Sequence, residues 1–134
     1  MTTQAISSSR PEWVRMAIYA DALVTDLTGL ALVIGSGTLA THLGMSSGIV
    51  MELGIGLFVY ALALFVVASR WLTPRNAYLL GGLNVVWIVG TELLMLSNAL
   101  PMTPEGRGLI MASNVIVAVL AALEIIGARQ MSRG

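Results

Sequence analysis

Residues 49–69 have the sequence IVMELGIGLFVYALALFVVAS, in which Glu52 is the only charged residue. At about 1.5 Å per residue, a helix of this length covers about 31 Å, close to the thickness of the hydrocarbon core of a bilayer. Arg70 follows directly, and its long side chain can reach the head groups from the end of an apolar helix. The stretch therefore predicts a membrane-spanning helix.

The composition extends this prediction to the whole chain. The 134 residues are 57% hydrophobic and only 10% charged, and a single water-soluble core of this size cannot bury so much apolar surface. Short polar connections separate four apolar segments, at about residues 13–40, 49–69, 76–98 and 107–128. We therefore expect an all-α polytopic membrane protein, a single domain over residues 13–128 with four transmembrane helices in an antiparallel up-and-down bundle. The lipid bilayer is its first expected partner.

The segments outside the spans are short. Residues 1–12, MTTQAISSSRPE, are polar and contain a proline, which predicts a disordered arm, and residues 129–134 form a short tail. A cleavable signal peptide is an alternative interpretation of the first span, because Thr38 and Ala40 stand like the small residues before a cleavage site. Two aspartates, Asp21 and Asp26, and a length of about 28 residues favour a retained helix instead.

The distribution of arginine predicts the orientation, because short loops rich in basic residues stay on the cytoplasmic side. All seven basic residues are arginine. Arg107 falls on one side of a four-span arrangement. The other six fall on the opposite side: Arg10, Arg15, Arg70, Arg75, Arg129 and Arg133. Both termini and the turn at 70–75 are therefore predicted to be cytoplasmic.

The same composition argues against several classes of function. The net charge is zero, so no basic surface indicates nucleic acid. The chain has no cysteine, which excludes thiolate metal sites and cysteine nucleophiles. A single histidine and the lack of a polar domain argue against an enzyme. We expect no catalytic residues, no cofactor and no nucleic-acid partner.

Ionisable groups within the spans are the main functional clue, since each costs about 2.5 to 3.5 kcal/mol to insert. Counting residues from the predicted span ends sorts these groups into three layers. In the inner layer, Asp21 and Glu124 lie near Arg15 and Arg129. Ion pairs at the membrane interface are the simplest interpretation of this layer.

The middle layer contains Asp26, Asn84 and, less closely, Asn114. A hydrogen-bonded cluster of these residues could simply join three helices, or it could bind a proton or a cation. At 100° per residue, Asp26 lies about 140° around the first helix from Asp21. The first span therefore has two polar faces, and the second face requires either a water-filled cleft or another subunit.

The outer layer contains Glu52 and Glu92, with His42 above them. One histidine and two carboxylates can form a metal site. No ligand spacing supports this here, and a solvated histidine with an outward water pocket explains the three residues equally well. We therefore predict no metal site, and in a transporter these residues would form the outer mouth of the route.

Several features together resemble a family. They are a short arm with arginine, the segment DALVTDLTGLALV (residues 21–33), the basic turn RWLTPR (residues 70–75) and the segment NVVW (residues 84–87). This pattern resembles the uncharacterised small four-span integral membrane proteins of bacteria. The resemblance implies a location in the bacterial inner membrane and supplies no catalytic residues.

Two hypotheses for function follow. The first is a non-enzymatic packing or accessory subunit of a homo-oligomer or larger membrane complex, suggested by the second polar face of the first span and by short loops. The alternative is a small transporter or channel for a proton, cation or small solute that uses Asp26 with Asn84 and Asn114.

Overall fold

The computed structural model describes the backbone of residues 2–133 and the side chains of residues 12–133. Within this part of the chain all regular structure is helical. The five helices are α1 (Thr2–Ile34), α2 (Ser36–Leu43), α3 (Ser47–Arg70), α4 (Pro74–Ser97) and α5 (Pro104–Arg133).

Four of these helices are long and apolar enough to cross a membrane: the part of α1 from Glu12 to Ile34, and the whole of α3, α4 and α5. The predicted all-α fold with four spans is confirmed. The surface agrees with a lipid environment, because large apolar side chains such as Leu96 are well exposed on the outside of the bundle.

The first span is shorter than predicted. The sequence predicts one helix over 13–40, but α1 ends at Ile34 and Gly35 precedes the short helix α2. Gly35 still donates its N–H to the carbonyl of Ala31 at 2.9 Å, but its φ of −95° and ψ of 14° depart from helical values, so the helix is interrupted here and resumes as α2.

Helix α2 ends at Gly44, which requires glycine for two reasons. Its φ of 75° lies in the left-handed region, which side chains disfavour. A Cβ atom at this position would also collide with the carbonyl oxygen of Pro101 and lie 2.8 Å from the nitrogen of Thr103. The connection from α2 to α3 is thereby held against the connection from α4 to α5.

The two ends of the chain are more helical than predicted. The backbone of α1 begins at Thr2 and so includes most of the predicted disordered arm, while the side chains before Glu12 lie outside the described residues. Helix α5 continues to Arg133 and includes most of the predicted tail. Neither segment contains a glycine before Gly134, so nothing in the last turns stops α5 at the edge of the hydrocarbon core.

Side-chain caps fix two of the helix starts. The hydroxyl of Ser46 accepts from the N–H of Ile49 at 3.2 Å at the start of α3. The hydroxyl of Thr73 accepts from the N–H of Asn76 at 3.1 Å at the start of α4, where Pro74 is the first helical residue. These caps satisfy backbone donors that the helix itself cannot.

The helices do not pack in simple sequence order. Helix α1 packs most extensively on α3 and also on α5, and α4 packs on α5. Helices α3 and α4 meet mainly through side chains, in a buried cluster shared with α1. That cluster comprises Val14, Ile18, Ala22, Leu64, Ala68 and Leu80.

The crossing of α1 and α3 is made close by a pair of glycines. A Cβ atom on Gly29 would lie 2.8 Å from the carbonyl oxygen of Gly54, and a Cβ atom on Gly54 would lie 2.8 Å from the carbonyl oxygen of Gly29. Small residues let membrane helices approach until their backbones touch, which increases dispersion contacts in the absence of a hydrophobic driving force.

Candidate functional site

The centre of the bundle holds a group of polar side chains that we call the carboxyl cluster: Asp21 on α1, Asn84 on α4 and Glu124 on α5. The amide Nδ2 of Asn84 donates to Oδ2 of Asp21 at 2.8 Å and to Oε1 of Glu124 at 2.6 Å. Their exposed fractions are 2%, 4% and 0%. A single amide group therefore joins two carboxyl groups from two different helices.

Two hydroxyl groups surround the carboxyl cluster. The hydroxyl of Thr25 donates to Oδ1 of Asp21 at 3.1 Å, one turn along α1. The hydroxyl of Tyr60 on α3 lies 3.4 Å from Oδ1 of Asn84 and 3.4 Å from the carbonyl oxygen of Leu80. All four long helices thus contribute a polar group, and the cluster acts as an interhelical connection.

The helix boundaries explain why these residues meet. In an antiparallel bundle, residues lie at the same depth when they are equally far from helix ends on the same side. Asn84 lies ten residues after Pro74, Tyr60 ten residues before Arg70 and Glu124 nine residues before Arg133. The packing of α1 on α3 and α5 brings Asp21 to the same depth.

The predicted inner ion pairs are not formed. Asp21 and Glu124 bind Asn84, while Arg15 donates to the carbonyl oxygen of Ala68 on α3. Arg129 is exposed. For Glu124 the prediction was wrong because it ended the last span at residue 128, whereas α5 continues to Arg133. Asp21 and Glu124 are both buried inside the bundle, where they bind Asn84.

The predicted middle layer also divides. Asn84 belongs to the carboxyl cluster, but Asn114 donates to the hydroxyl of Thr91 at 2.9 Å and to Oε1 of Glu92 at 3.1 Å. Oδ1 of Asn114 is buried and has no hydrogen-bond partner among the described residues. The predicted grouping of Asp26, Asn84 and Asn114 was therefore wrong. Helix α5 packs along α4, and Asn114 lies beside residues near the C-terminal end of α4 instead of beside Asn84.

Asp26 lies on another face of α1 from Asp21. It is half-buried and lines an open groove of about 400 Å³ between α1 and α3, beside Tyr19, Phe58 and Phe65. Within residues 12–133 its carboxyl group has no hydrogen-bond partner. This arrangement agrees with the two polar faces that the helical phase predicts for the first span.

The predicted outer group is dispersed. His42 lies 3.3 Å from the carboxylate of Glu105, and both side chains are exposed. Glu92 contacts Asn114, while Glu52 is exposed on α3. No set of three potential metal ligands comes together in the part of the chain that the structure describes. The grouping failed because His42 lies at the end of α2, which faces the start of α5.

The sequence analysis missed two contributors to these sites. Tyr60 lies in the middle of an apolar span, where a buried tyrosine hydroxyl usually forms a hydrogen bond. This position alone could have identified Tyr60 as a candidate member of a polar cluster. Arg107 donates to the carbonyl oxygen of Met95 at 2.8 Å and to Oδ1 of Asn98 at 2.6 Å, which satisfies the C-terminal end of α4. Only the tertiary structure reveals this second contact.

No protein-family model, curated protein or solved structure matches the chain. The function must therefore be argued from its own geometry.

Proposed function

We propose that the chain is a non-enzymatic accessory subunit of a larger membrane complex in the bacterial inner membrane, held there through the groove between α1 and α3. The observation that carries this proposal is the position of Asp26. Its carboxyl group opens to the outside of the bundle, where an isolated bundle would meet lipid. A carboxyl group at this place needs a polar partner from another chain.

The depth of Asp26 supports this argument. It lies eight residues before Ile34, the last residue of α1, which places it about 12 Å from this end of the helix. Aspartate has a short side chain, so it cannot reach the head groups from this depth as arginine or lysine can. The groove around it is lined largely by aromatic and aliphatic side chains, and no side chain among residues 12–133 forms a hydrogen bond to its carboxyl group.

The charge distribution favours a different protein over a second copy as the partner. A donor for Asp26 must lie near the middle of the partner's span. Arg15 on α1 already donates to the carbonyl oxygen of Ala68. The other described arginines lie within about four residues of the end of a helix: Arg70, Arg75, Arg107, Arg129 and Arg133. A second copy would bring Asp26 against apolar side chains or against its own Asp26. The complementary partner is a transmembrane helix that carries a basic or amide side chain near its centre.

Removal of this carboxyl group is expected to release the partner. The wild-type chain, purified in mild detergent, should carry a second membrane protein. The variant Asp26→Leu should have the mass of the lone 14.1 kDa chain with its bound detergent, while its helical content is unchanged. Light scattering and native mass spectrometry measure both states. Glu105→Gln is the matched control, since it removes an exposed carboxylate far from the groove, and it should retain the partner.

Two outcomes would contradict the proposal. A wild-type monomer without any partner would exclude a subunit role. A mass that is a multiple of the single chain, with no second protein, would indicate a homo-oligomer and would refute the complementary-helix argument.

The alternative function, a transporter for a proton, cation or small solute, has less support. Its three residues, Asp26, Asn84 and Asn114, lie in three separate environments. A transport route through them would have no shared site within the described residues. Under the proposed function, reconstituted flux of protons or alkali cations is expected to be the same in wild type and Asp26→Asn.

The proposed orientation places both termini in the cytoplasm, supported by the asymmetric distribution of arginine. Because the chain has no cysteine, a single introduced cysteine reports its own side of the membrane. In intact spheroplasts, an impermeant maleimide should label Ser47→Cys at the exposed start of α3, and should label Ser132→Cys only after the membrane is opened. The reverse pattern would overturn the proposed orientation.

A further inference from the structure

The four carboxyl oxygens of the carboxyl cluster differ in the donors that they receive. Oδ1 of Asp21 accepts from Thr25, and Oδ2 accepts from Asn84. Oε1 of Glu124 also accepts from Asn84. Oε2 of Glu124 is fully buried and has no partner within the described residues. Of the four oxygens, one alone lacks a donor.

Among residues 12–133 no positively charged side chain faces this site. Helix α1 supplies Asp21, α3 supplies the neutral hydroxyl of Tyr60, α4 supplies the neutral amide of Asn84, and α5 supplies Glu124. Arg15 is directed to a carbonyl oxygen on α3, and no arginine among the described residues is within ion-pair distance of either carboxyl group. Two adjacent carboxylates without a cation would repel strongly in a medium of low dielectric constant.

A proton on one of the two carboxyl groups removes this repulsion. A protonated carboxyl group also becomes a hydrogen-bond donor, so the oxygen without a partner becomes the donor of a new bond. Asp21 already receives two donors that stabilise a negative charge, while Glu124 receives one. The carboxyl groups adjoin, since both bind the same amide nitrogen.

We propose that the carboxyl cluster is a binding site for one proton, which Glu124 carries on Oε2 and donates to the carboxylate of Asp21. Asn84 holds the two groups together from the other side, and Tyr60 orients the amide of Asn84. The site carries a single negative charge when the proton is bound and two when it is lost. Loss of the proton would force α1 and α5 apart, so the site couples proton binding to the packing of these helices.

A metal ion fits the same position poorly. Calcium takes six to eight oxygen ligands, and magnesium demands six in octahedral geometry. Within the part of the chain that the structure describes, the only buried carboxyl oxygen without a hydrogen bond is Oε2 of Glu124. The oxygens of Asp21 and Oε1 of Glu124 already accept from side chains, so a proton needs no rearrangement of the cluster.

Infrared spectroscopy of the full chain in lipid vesicles tests the assignment. Wild type should show the C=O stretching band of a protonated carboxylic acid at neutral pH. Glu124→Gln should lose this band, and Asp21→Asn should retain it at a shifted frequency. Asp26→Asn serves as the control, because it removes any contribution from the carboxyl group in the groove and should leave the Glu124 band in place.

Three results would overturn the proposal. The band could persist unchanged in both Glu124→Gln and Asp21→Asn, which would place no proton on either carboxyl group. It could vanish in Asp21→Asn but persist in Glu124→Gln, which would place the proton on Asp21. It could appear only when sodium is omitted, which would show that an alkali cation competes for the site.

The pH dependence of stability gives a second readout that requires no spectral assignment. Thermal unfolding of wild type in detergent should move to lower temperature from neutral to alkaline pH, because the bridging proton is lost and two anions face each other. Glu124→Gln keeps a neutral donor at this position at all pH values, so its melting temperature should change less over the same range. Equal alkaline shifts in the two proteins would contradict the proposed proton.

Discussion

Asn84→Leu is expected to lower the free energy of unfolding by about 3 to 5 kcal/mol, because it removes one partner from a buried polar network. Asp21 and Glu124 would lose the amide that joins them, and both carboxyl groups would remain buried. Leucine is similar in size to asparagine and apolar, so the loss reports the hydrogen bonds more than the packing. Reversible unfolding of the purified protein in mixed detergent micelles measures it.

Asn114→Leu is the matched control, since it makes the same change in the same bundle. Its partner Thr91 also donates to the carbonyl oxygens of Trp87 and Ile88, and Glu92 lies five residues before the end of α4 at Ser97, which places it nearer to the head groups. The expected loss is about 1 kcal/mol, the value of one ordinary hydrogen bond. Equal losses in the two variants would show that the carboxyl cluster is no more important to stability than other polar contacts.

Gly54→Val is expected to destabilise the protein by about 1 to 3 kcal/mol, because it overpacks the crossing of α1 and α3. The added Cβ atom would lie 2.8 Å from the carbonyl oxygen of Gly29 and 2.8 Å from Cγ2 of Val33. A backbone carbonyl cannot rotate away, so the two helices must separate along the crossing. The melting temperature in detergent and the rate of proteolysis report this separation.

Gly56→Val is its control on the same helix. Nothing lies within 4 Å of a Cβ atom at Gly56, so the added side chain points into open space and should leave stability nearly unchanged. A comparable loss in both variants would mean that the cost comes from valine in the helix and not from the crossing.

The sequence alone determined that this protein is all-helical with four membrane-spanning segments. Residues 49–69 can satisfy their backbone hydrogen bonds in lipid only as a helix, and Thr73 with Pro74 specifies where α4 begins. The phase of an α-helix is also a local property. The separation of Asp26 from Asp21 around α1 could therefore be calculated without any knowledge of neighbouring helices.

The sequence could not determine which polar groups meet. The depth of Glu124 depends on where α5 ends, and the helix continues to Arg133 with no local stop. The interruption at Gly35 likewise ends α1 six residues before the predicted end of the first span at residue 40. An error of a few residues at the end of a span changes the calculated depth of its side chains by several ångströms. This is enough to assign the wrong partners to Asn84 and Asn114.

The lateral arrangement of the helices was decided only by the tertiary structure. All four spans carry similar lipid-facing leucines and valines, which do not specify which helices pack together. Close approach of the backbones at Gly29 and Gly54 brings α1 against α3. Once α1 also packs against α5, Asp21 and Glu124 lie within reach of one amide group on α4. The sequence specifies the polar residues of the carboxyl cluster. Their contact depends on packing between helices that are distant in the chain.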